Sequence, residues 1–199
     1  MSLTSAAPYT YDQRLAACQC IQGFIYSNPE GREGLLQRLI NAYHTDTSDP
    51  PKPSNLLYYI FNLTDSQRKD PYRIWFACII LLHLLDSSPK GKELMRSFSI
   101  GDTASGEEAV TALQQINANL STCLINSYNP RIAVGYLMLL SIWIYDDPSS
   151  VNEFLEETAG VHTLVGAIAQ AQGIFVTGLA AVLLGICVEF NIPNSPLPP

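Results

Sequence analysis

Hydrophobic residues along this chain fall into long runs that end at short polar breaks containing proline. The clearest run extends from Ile132 to Tyr145, where Ser141 is the only clearly polar residue. A helix that is apolar on every face must be buried on all sides. The run ends at residues 146–148, and an amphipathic segment begins at the proline of that break. The stretch 129–155 therefore predicts a helical hairpin whose first helix lies inside a larger helical fold.

The same pattern occurs three times along the chain. Each copy has an arginine, an apolar helix containing small residues, a polar pair followed by proline, and then an apolar pair. The arginines are Arg14, Arg73 and Arg131, which are 59 and then 58 residues apart. A fourth, partial copy covers residues 174–190. Recurrence at a fixed period is typical of proteins built from stacked repeats.

Each copy predicts three helices, which we name A, B and C in chain order. We predict A helices near 11–27, 72–87, 130–146 and 174–190, B helices near 29–44, 89–98 and 148–157, and C helices near 54–64, 105–126 and 160–172. No copy can bury its own A helix, so neighbouring copies must cover it. The fold class predicted is therefore all-α, a right-handed α-solenoid of armadillo-like three-helix repeats. A single irregular all-α domain is the alternative.

The predicted solenoid forms one domain, residues 11–190. Its units cover about 11–64, 72–126 and 130–172, with the partial unit 174–190 at the end. We expect residues 1–10 to be a disordered or cloning-derived start, and residues 191–199 to be an irregular tail because their prolines cannot continue a helix.

Composition supports a large core and narrows the class of partner. Hydrophobic residues make up 47% of the chain and charged residues 15%, which excludes a disordered protein. The net charge is −7 and there is no run of Lys or Arg, so the sequence predicts no nucleic-acid partner. The longest apolar runs have 12 to 15 residues, short of the roughly 20 that cross a bilayer. Five cysteines without a signal peptide favour reduced thiols and a cytoplasmic protein.

No arrangement of residues typical of an active site is found in the sequence. Cys18 and Cys20, two positions apart on a helix, would point about 200° from each other and could not share a metal ion. The other cysteines stand alone on apolar helices, and His83 lies inside an apolar run where a core role is expected. We therefore predict no enzyme activity, no cofactor and no metal site.

A binding surface is expected on the C helices, which line the concave groove of armadillo-type solenoids. The residues predicted to point into this groove are Tyr58, Tyr59, Asn62, Gln114, Gln115, Thr122, Thr163 and Gln170. Amide side chains with two tyrosines suit a peptide or helix held in a groove, and a plain solvated face is the alternative. For Arg14, Arg73 and Arg131 we predict acid pairing or helix capping between units, with partner contact as the alternative.

Four segments, in this order, carry a resemblance to a known family: YSNPEGREGLL at 26–36, VGYLMLL with a following tryptophan at 134–143, VNEFL at 151–155, and GLAAVLLG at 178–185. Together they resemble the globular head of the general vesicular transport factor family. These are golgin-type tethers that act between the endoplasmic reticulum and the Golgi. The resemblance extends over nearly the whole chain from about Tyr11.

The resemblance implies a non-enzymatic head that acts in ER-to-Golgi and intra-Golgi transport. It implies binding to a Rab-type GTPase, to SNAREs and to other tethering proteins, with peripheral association at Golgi and ER-derived vesicle membranes. It also implies a homodimer formed through a coiled coil, and no heptad pattern for such a coil occurs in this sequence. A general armadillo-type scaffold or adaptor that binds peptide cargo is the alternative. An asparagine ladder along the C helices would favour it, and that ladder is incomplete here.

Overall fold

The structure is a computed structural model that describes residues 10–45, 55–101 and 109–191. Its elements are α1 (Tyr11–Ile25), α2 (Pro29–Thr45), α3 (Leu56–Phe61), α4 (Asp65–Arg68), α5 (Pro71–Leu85), α6 (Pro89–Arg96), β1 (Ser99–Ile100), β2 (Val110–Thr111), α7 (Ala112–Ile125), α8 (Pro130–Ile144), α9 (Pro148–Glu156), α10 (Thr158–Ala169) and α11 (Ile174–Phe190). The A helices are α1, α5, α8 and α11, the B helices are α2, α6 and α9, and the C helices are α3, α7 and α10. The predicted start and tail fall largely outside the described residues, as do residues 105–108 of the second predicted C helix.

The hairpin predicted for each copy is present three times, and each copy turns in the same way. After α1, α5 and α8 the chain reverses through a residue of positive φ, namely Ser27 at 53°, Ser87 at 52° and Asp146 at 52°. The B helix then begins at a proline, whose fixed φ suits the first helical position. The repeated sequence pattern therefore encodes a repeated turn.

The A helices pack side by side in the order α1, α5, α8 and α11. Their N-termini share one edge, because Arg14 contacts Asp70 and Arg131 lies over Tyr72. At the other edge the rings of Tyr145 and Phe190 are 5.0 Å apart. The A helices are therefore parallel, as expected for stacked units, and the prediction of a helical solenoid is confirmed.

Two of the A helices, α5 and α8, approach each other closely at Gly135. A Cβ on Gly135 would lie 3.4 Å from the Trp75 Cα and 3.5 Å from the Cys78 sulphur, so glycine allows the backbones to approach. The apolar helix α8 is buried as predicted, and Tyr136 and Trp143 are among the largest fully buried side chains. The core of the molecule lies along α5 and α8.

Neighbouring units are also joined by basic residues of the B helices. Arg32, at the fourth position of α2, donates to the backbone carbonyl of Asp86 just beyond the end of α5. Lys92, at the same position of α6, donates to the carbonyl of Tyr145 just beyond the end of α8 at 2.5 Å. Each cation lies where the helix dipole is negative. These two contacts hold the ends of α5 and α8 against the B helix of the preceding unit.

Two predicted C helices are shorter in the structure. Helix α3 ends at Phe61 because Asn62 caps it, and α7 begins at Ala112, where Thr111 and Gln114 form a capping box. A two-residue antiparallel ladder pairs Ser99–Ile100 with Val110–Thr111, which the sequence did not predict because strands this short leave no alternating pattern. None of the described helices has the length and hydropathy needed to cross a bilayer.

Candidate functional site

The predicted groove residues lie on the three C helices, but they differ in exposure. Thr122 and Gln170 are exposed. The half-buried members are Tyr58, Asn62, Gln114, Gln115 and Thr163. Helix α7 packs between α3 and α10, so these positions occupy one continuous side of the molecule. Whether this side binds a partner stays a prediction.

The prediction that Tyr59 points away from the core is wrong. Its side chain is 1% exposed and belongs to the main hydrophobic core. Helix α3 has six residues and is covered by both α5 and α7, so nearly its whole circumference is buried. Tyr58 is half-buried, with its ring 5.8 Å from that of Tyr59. Tyr59 therefore supports the core and does not contribute to a binding surface.

All four predicted amides, Asn62, Gln114, Gln115 and Gln170, already bond their own chain, and the first two cap a helix. The Asn62 amide donates to the Tyr58 carbonyl at 3.1 Å and so closes the end of α3. The Gln114 side-chain oxygen accepts from the Thr111 N–H at 3.0 Å, while the Thr111 hydroxyl accepts from the Gln114 N–H at 3.1 Å. The primary role of Asn62 and Gln114 in the structure is helix capping.

A cavity of about 370 Å³ lies where the end of α7 meets α10, and it brings Thr163 and Gln170 together. Ile125 and His162 also line it, and the Gln172 amide closes one end by donating to the Leu124 carbonyl at 3.2 Å. Its walls combine apolar and amide groups without a charged cluster. Such a cavity can hold a side chain of a bound segment but offers no reaction chemistry.

Asn119 faces inward and cannot serve in an asparagine ladder. It is buried, and its amide donates to the carbonyls of Ile60 and Phe61, both at 3.0 Å. The hydroxyl of the buried Tyr136 donates to the same Ile60 carbonyl at 2.7 Å. This asparagine therefore satisfies the end of α3 from within. That disfavours the alternative of a scaffold that reads peptides through ladder asparagines.

The buried thiols are not reactive nucleophiles at neutral pH. Burial raises the pKa of Cys18 and Cys187 to about 11 and that of Cys123 to about 12, and it raises the pKa of Cys78 even further. A thiol of this kind stays protonated near pH 7. Cys18 is buried while Cys20 is exposed, so the pair points in different directions as predicted.

Among the described residues there is also no group of three His, Cys, Asp or Glu that could hold a metal ion. His83 is half-buried, with its Nε2 2.6 Å from the Gln22 amide nitrogen. Burial lowers the pKa of His83, which favours the neutral ring. The arrangement satisfies the histidine within the fold, as the sequence predicted for it.

The three repeat arginines do not share one role. Arg14 binds the Asp70 carboxylate at 2.6 and 2.9 Å, which confirms acid pairing between units, whereas Arg73 donates at 3.1 Å to the same acid at the start of its own helix. Arg131 is exposed, and its Cζ lies 4.9 Å from the centre of the Tyr72 ring. In the sequence the three arginines look alike, because they occupy the same position in the repeat.

A second surface was missed by the sequence analysis. Tyr11, Tyr72, Trp75 and Arg131 line an open cavity of about 280 Å³ beside the N-termini of α1, α5 and α8. We call these four residues the aromatic edge. Aromatic residues near the start of two successive A helices could have indicated it, because stacked repeats bring such positions together.

Three comparisons relate the chain to known proteins. A family model described as the head region of Uso1/p115-like vesicle tethering proteins matches residues 1–199. General vesicular transport factor p115 of Homo sapiens is 32% identical over 181 residues, which covers 89% of this chain and 18% of that protein. Intracellular protein transport protein USO1 of Saccharomyces cerevisiae is 28% identical over 151 residues, which covers 73% of this chain and 8% of that protein.

Crystal structures of Uso1-1 and Uso1-2 match with TM-scores of 0.76 and 0.78. Both are 22% identical, cover 95% and 98% of this chain, and are matched over 29% of their own length. At this identity the likeness shows the fold, which is an armadillo-like helical solenoid as predicted. The chain thus spans less than a third of the solved structures and about a fifth of the p115 relatives it matches.

Proposed function

Because the chain belongs to the family of Uso1/p115-like vesicle tethering proteins, whose head region it matches over residues 1–199, we propose that it acts as a non-enzymatic binding module in vesicle tethering. The match to that head region is the observation that carries the proposal. The module would hold a transport vesicle near its target membrane by binding proteins anchored on either side.

Two features of the structure support a binding role over catalysis. The described residues form a stack of helices with a continuous C-helix side, and burial raises the pKa of the buried thiols and lowers that of His83. The 370 Å³ cavity between α7 and α10 offers amide and apolar contacts. A tether benefits from several weak contacts made at once, because linked binding events raise the overall avidity.

The partners proposed are a Rab-type GTPase, SNAREs and other tethering proteins, at the cytoplasmic face of Golgi and ER-derived vesicle membranes. Homodimerisation of the full-length protein through a coiled coil is part of the same proposal. The direct experiment measures binding of the immobilised chain to a panel of Rab GTPases, each loaded with a GTP analogue or with GDP. We expect at least one GTPase to bind preferentially in the GTP form. Absence of nucleotide-dependent binding by both the chain and its full-length parent would overturn the GTPase assignment.

The C-helix groove is tested separately from the choice of partner. Gln170→Arg places a long charged side chain at the cavity, and arginine at a helix end is compatible with the helix dipole. We expect this change to weaken partner binding while the melting temperature stays within about 2 °C of the wild type, as for most surface changes. The matched control is Gln37→Arg on the exposed face of α2. Equal binding by both variants would remove the groove from the proposal.

A further inference from the structure

Arg131 differs from its counterparts in the first two copies of the repeat. Arg14 and Arg73 share the carboxylate of Asp70, which leaves that acid fully engaged. Arg131 makes no ion pair with any carboxylate in the described parts of the chain. Its guanidinium is exposed and lies 4.9 Å from the Tyr72 ring centre. It is thus an ordered cation without an acidic partner in residues 10–45, 55–101 and 109–191.

The contact with Tyr72 orients this cation for binding. A guanidinium that lies over an aromatic ring is attracted by the ring electrons while its N–H groups stay at the rim. Those N–H groups can donate two parallel hydrogen bonds to one carboxylate. Because the ring already restricts the side chain, less conformational entropy is lost when a ligand binds.

The rings beside Arg131 form a place for an apolar side chain. Tyr11 is 45% exposed and meets Tyr72 edge-on, with ring centres 5.4 Å apart. Trp75 stands at 82° to Phe76, with ring centres 4.9 Å apart, which fixes one wall of the 280 Å³ cavity. Tyr, Trp and Arg are the residues most enriched at energetic hot spots of protein interfaces.

The charge around the aromatic edge is opposite to that of the whole chain. Arg14 and Arg73 share the single carboxylate of Asp70 beside this edge, and Arg131 adds a further positive charge that pairs with no acid in the described residues. The N-termini of three parallel helices, which carry partial positive charge, also lie at this edge. The chain as a whole has a net charge of −7. The aromatic edge is therefore a local positive surface on an acidic protein.

We propose that the aromatic edge binds an acidic, amphipathic segment of a partner protein. One carboxylate of the segment pairs with Arg131, and a neighbouring apolar side chain enters the cavity between Tyr11, Tyr72 and Trp75. An anionic membrane fits less well, because membrane attraction depends on a dense cluster of Lys and Arg, whereas here the basic residues are interspersed with acids. The proposal concerns a different surface from the C-helix groove and does not depend on GTPase binding.

Trp75 provides a reporter for this surface. The chain has two tryptophans, and Trp143 is fully buried, so acrylamide quenching of fluorescence reports mainly on Trp75. The probe is a synthetic 12-residue peptide that repeats the pair Glu-Leu along its length. In the control peptide every Glu is replaced by Gln. We expect the Glu peptide to protect Trp75 from acrylamide and the Gln peptide to protect it much less. Protection should weaken as salt is raised, because salt screens exposed charges.

Arg131→Gln is expected to lower the affinity for the Glu peptide at least tenfold, as for the loss of a charge-assisted pair. Arg131→Lys should fall in between, since lysine keeps the charge but loses the planar fork. The matched control is Arg38→Gln, an exposed arginine on α2, which should bind like the wild type. Circular dichroism of each variant checks that the fold is kept.

Several outcomes would overturn the proposal. One is no protection of Trp75 by the Glu peptide, and another is equal affinity of the Arg131→Gln and Arg38→Gln variants.

Protection by vesicles of phosphatidylserine and phosphatidylcholine, without protection by the peptide, would assign the edge to lipid. Dimers in sedimentation velocity that disappear with Arg131→Gln would assign it to a second copy. Protection present in the free chain and lost on removal of residues 1–9 would assign it to the chain's own N-terminal segment. None of these outcomes bears on the GTPase experiment.

Discussion

Asn117 and Gly160 are in direct contact where α10 packs against α7. The Asn117 amide donates to the Glu157 carboxylate at 3.0 Å, and a Cβ built on Gly160 would collide with that amide. Gly160 therefore leaves room for the Asn117 side chain between the two helices. Its partner lies in a different helix, so the sequence shows Gly160 only as the opening residue of a predicted helix.

We expect Gly160→Ala to lower the free energy of unfolding by about 1–3 kcal/mol, as overpacked sites do. Gly166→Ala, on the same helix, has nothing within 4 Å of the new methyl group. It should raise stability by up to about 1 kcal/mol, the helix preference of alanine over glycine. Urea denaturation followed by circular dichroism gives both values. Equal tolerance of the two changes would contradict the assigned contact.

Helix α11 shows how a single element can differ from its repeat equivalents. The apolar sequence of every A helix predicts that neighbouring units cover it on nearly all sides. In the described residues α8 and α10 cover one side of α11, and the opposite side presents an exposed row of apolar and small residues. This row consists of Ile174, Phe175, Gly178, Ala181, Val182, Gly185 and Val188. Hydrophobicity all round a helix therefore did not by itself decide which side is covered.

Two adjacent positions test this assignment of faces on α11. Val182 is 53% exposed, whereas Leu183 is fully buried against the core. Leu183→Gln should lower the free energy of unfolding by about 2–5 kcal/mol, because it removes core packing and buries an amide. Val182→Gln should change it by less than about 0.5 kcal/mol. Thermal and urea unfolding of this chain give the comparison, and a large loss for Val182→Gln would show that its side is covered.

The loop before α5 contributes stability that depends on pH. Burial works to raise the pKa of Asp70, but the hydrogen bonds and charges of Arg14 and Arg73 outweigh it and hold this pKa below its ordinary value of 3.8. A carboxyl of this kind contributes stability that is present above its unfolded pKa and is lost as pH falls through the folded pKa. Asp70 thus ties α1 of the first unit to α5 of the second only in its charged form.

Asp70→Asn should therefore destabilise the protein most at neutral pH. We expect a loss of about 1–3 kcal/mol at pH 7, less than for a fully buried pair because Asp70 keeps some solvent contact. The difference between wild type and variant should shrink as the pH falls below about 4. Urea unfolding at a series of pH values between 7 and 2.5 measures it. A difference that stays constant across this range would mean that the ion pair is not its source.

At the scale of the whole molecule, one buried network joins three units. Asn119 on α7 and Tyr136 on α8 both donate to the carbonyl of Ile60, which lies in α3. The three helices come from the first, second and third copies of the repeat. Because the network is buried, loss of either donor leaves polar groups without compensation. It connects the C-helix side of the solenoid to the stack of A helices.

A double-mutant cycle tests whether these donors act together. We expect Asn119→Leu to cost about 2–4 kcal/mol and Tyr136→Phe about 1–2 kcal/mol, the usual range for unsatisfied buried groups. Because both bond the same carbonyl, the two losses should differ from additivity by at least about 0.5 kcal/mol. Urea unfolding of wild type, both single variants and the double variant provides the coupling energy. Strict additivity would show that the two side chains act independently.

The family, the solenoid fold and the order of the A, B and C helices could be predicted from the sequence, and all three are confirmed, although the short helix α4 was not predicted. The family follows from the resemblance carried by four segments of the sequence. The fold and the helix order follow from local features that recur along the chain: apolar runs, the break before proline, and the spacing of Arg14, Arg73 and Arg131. Local features involve residues that are near one another in the sequence, so they can be recognised in a single sequence without a structure.

Only the tertiary structure decided which side chains are covered and which are free. Helical periodicity predicted that Tyr59 points outward, yet α5 and α7 bury it. Tyr58 beside it is half-buried. Arg131 resembles Arg14 by position, yet Asp70 is taken by Arg14 and Arg73, and Arg131 lies over Tyr72. These outcomes depend on contacts between residues far apart in the chain. A repeat pattern fixes where a residue sits in its own unit, and the neighbouring units determine what it meets.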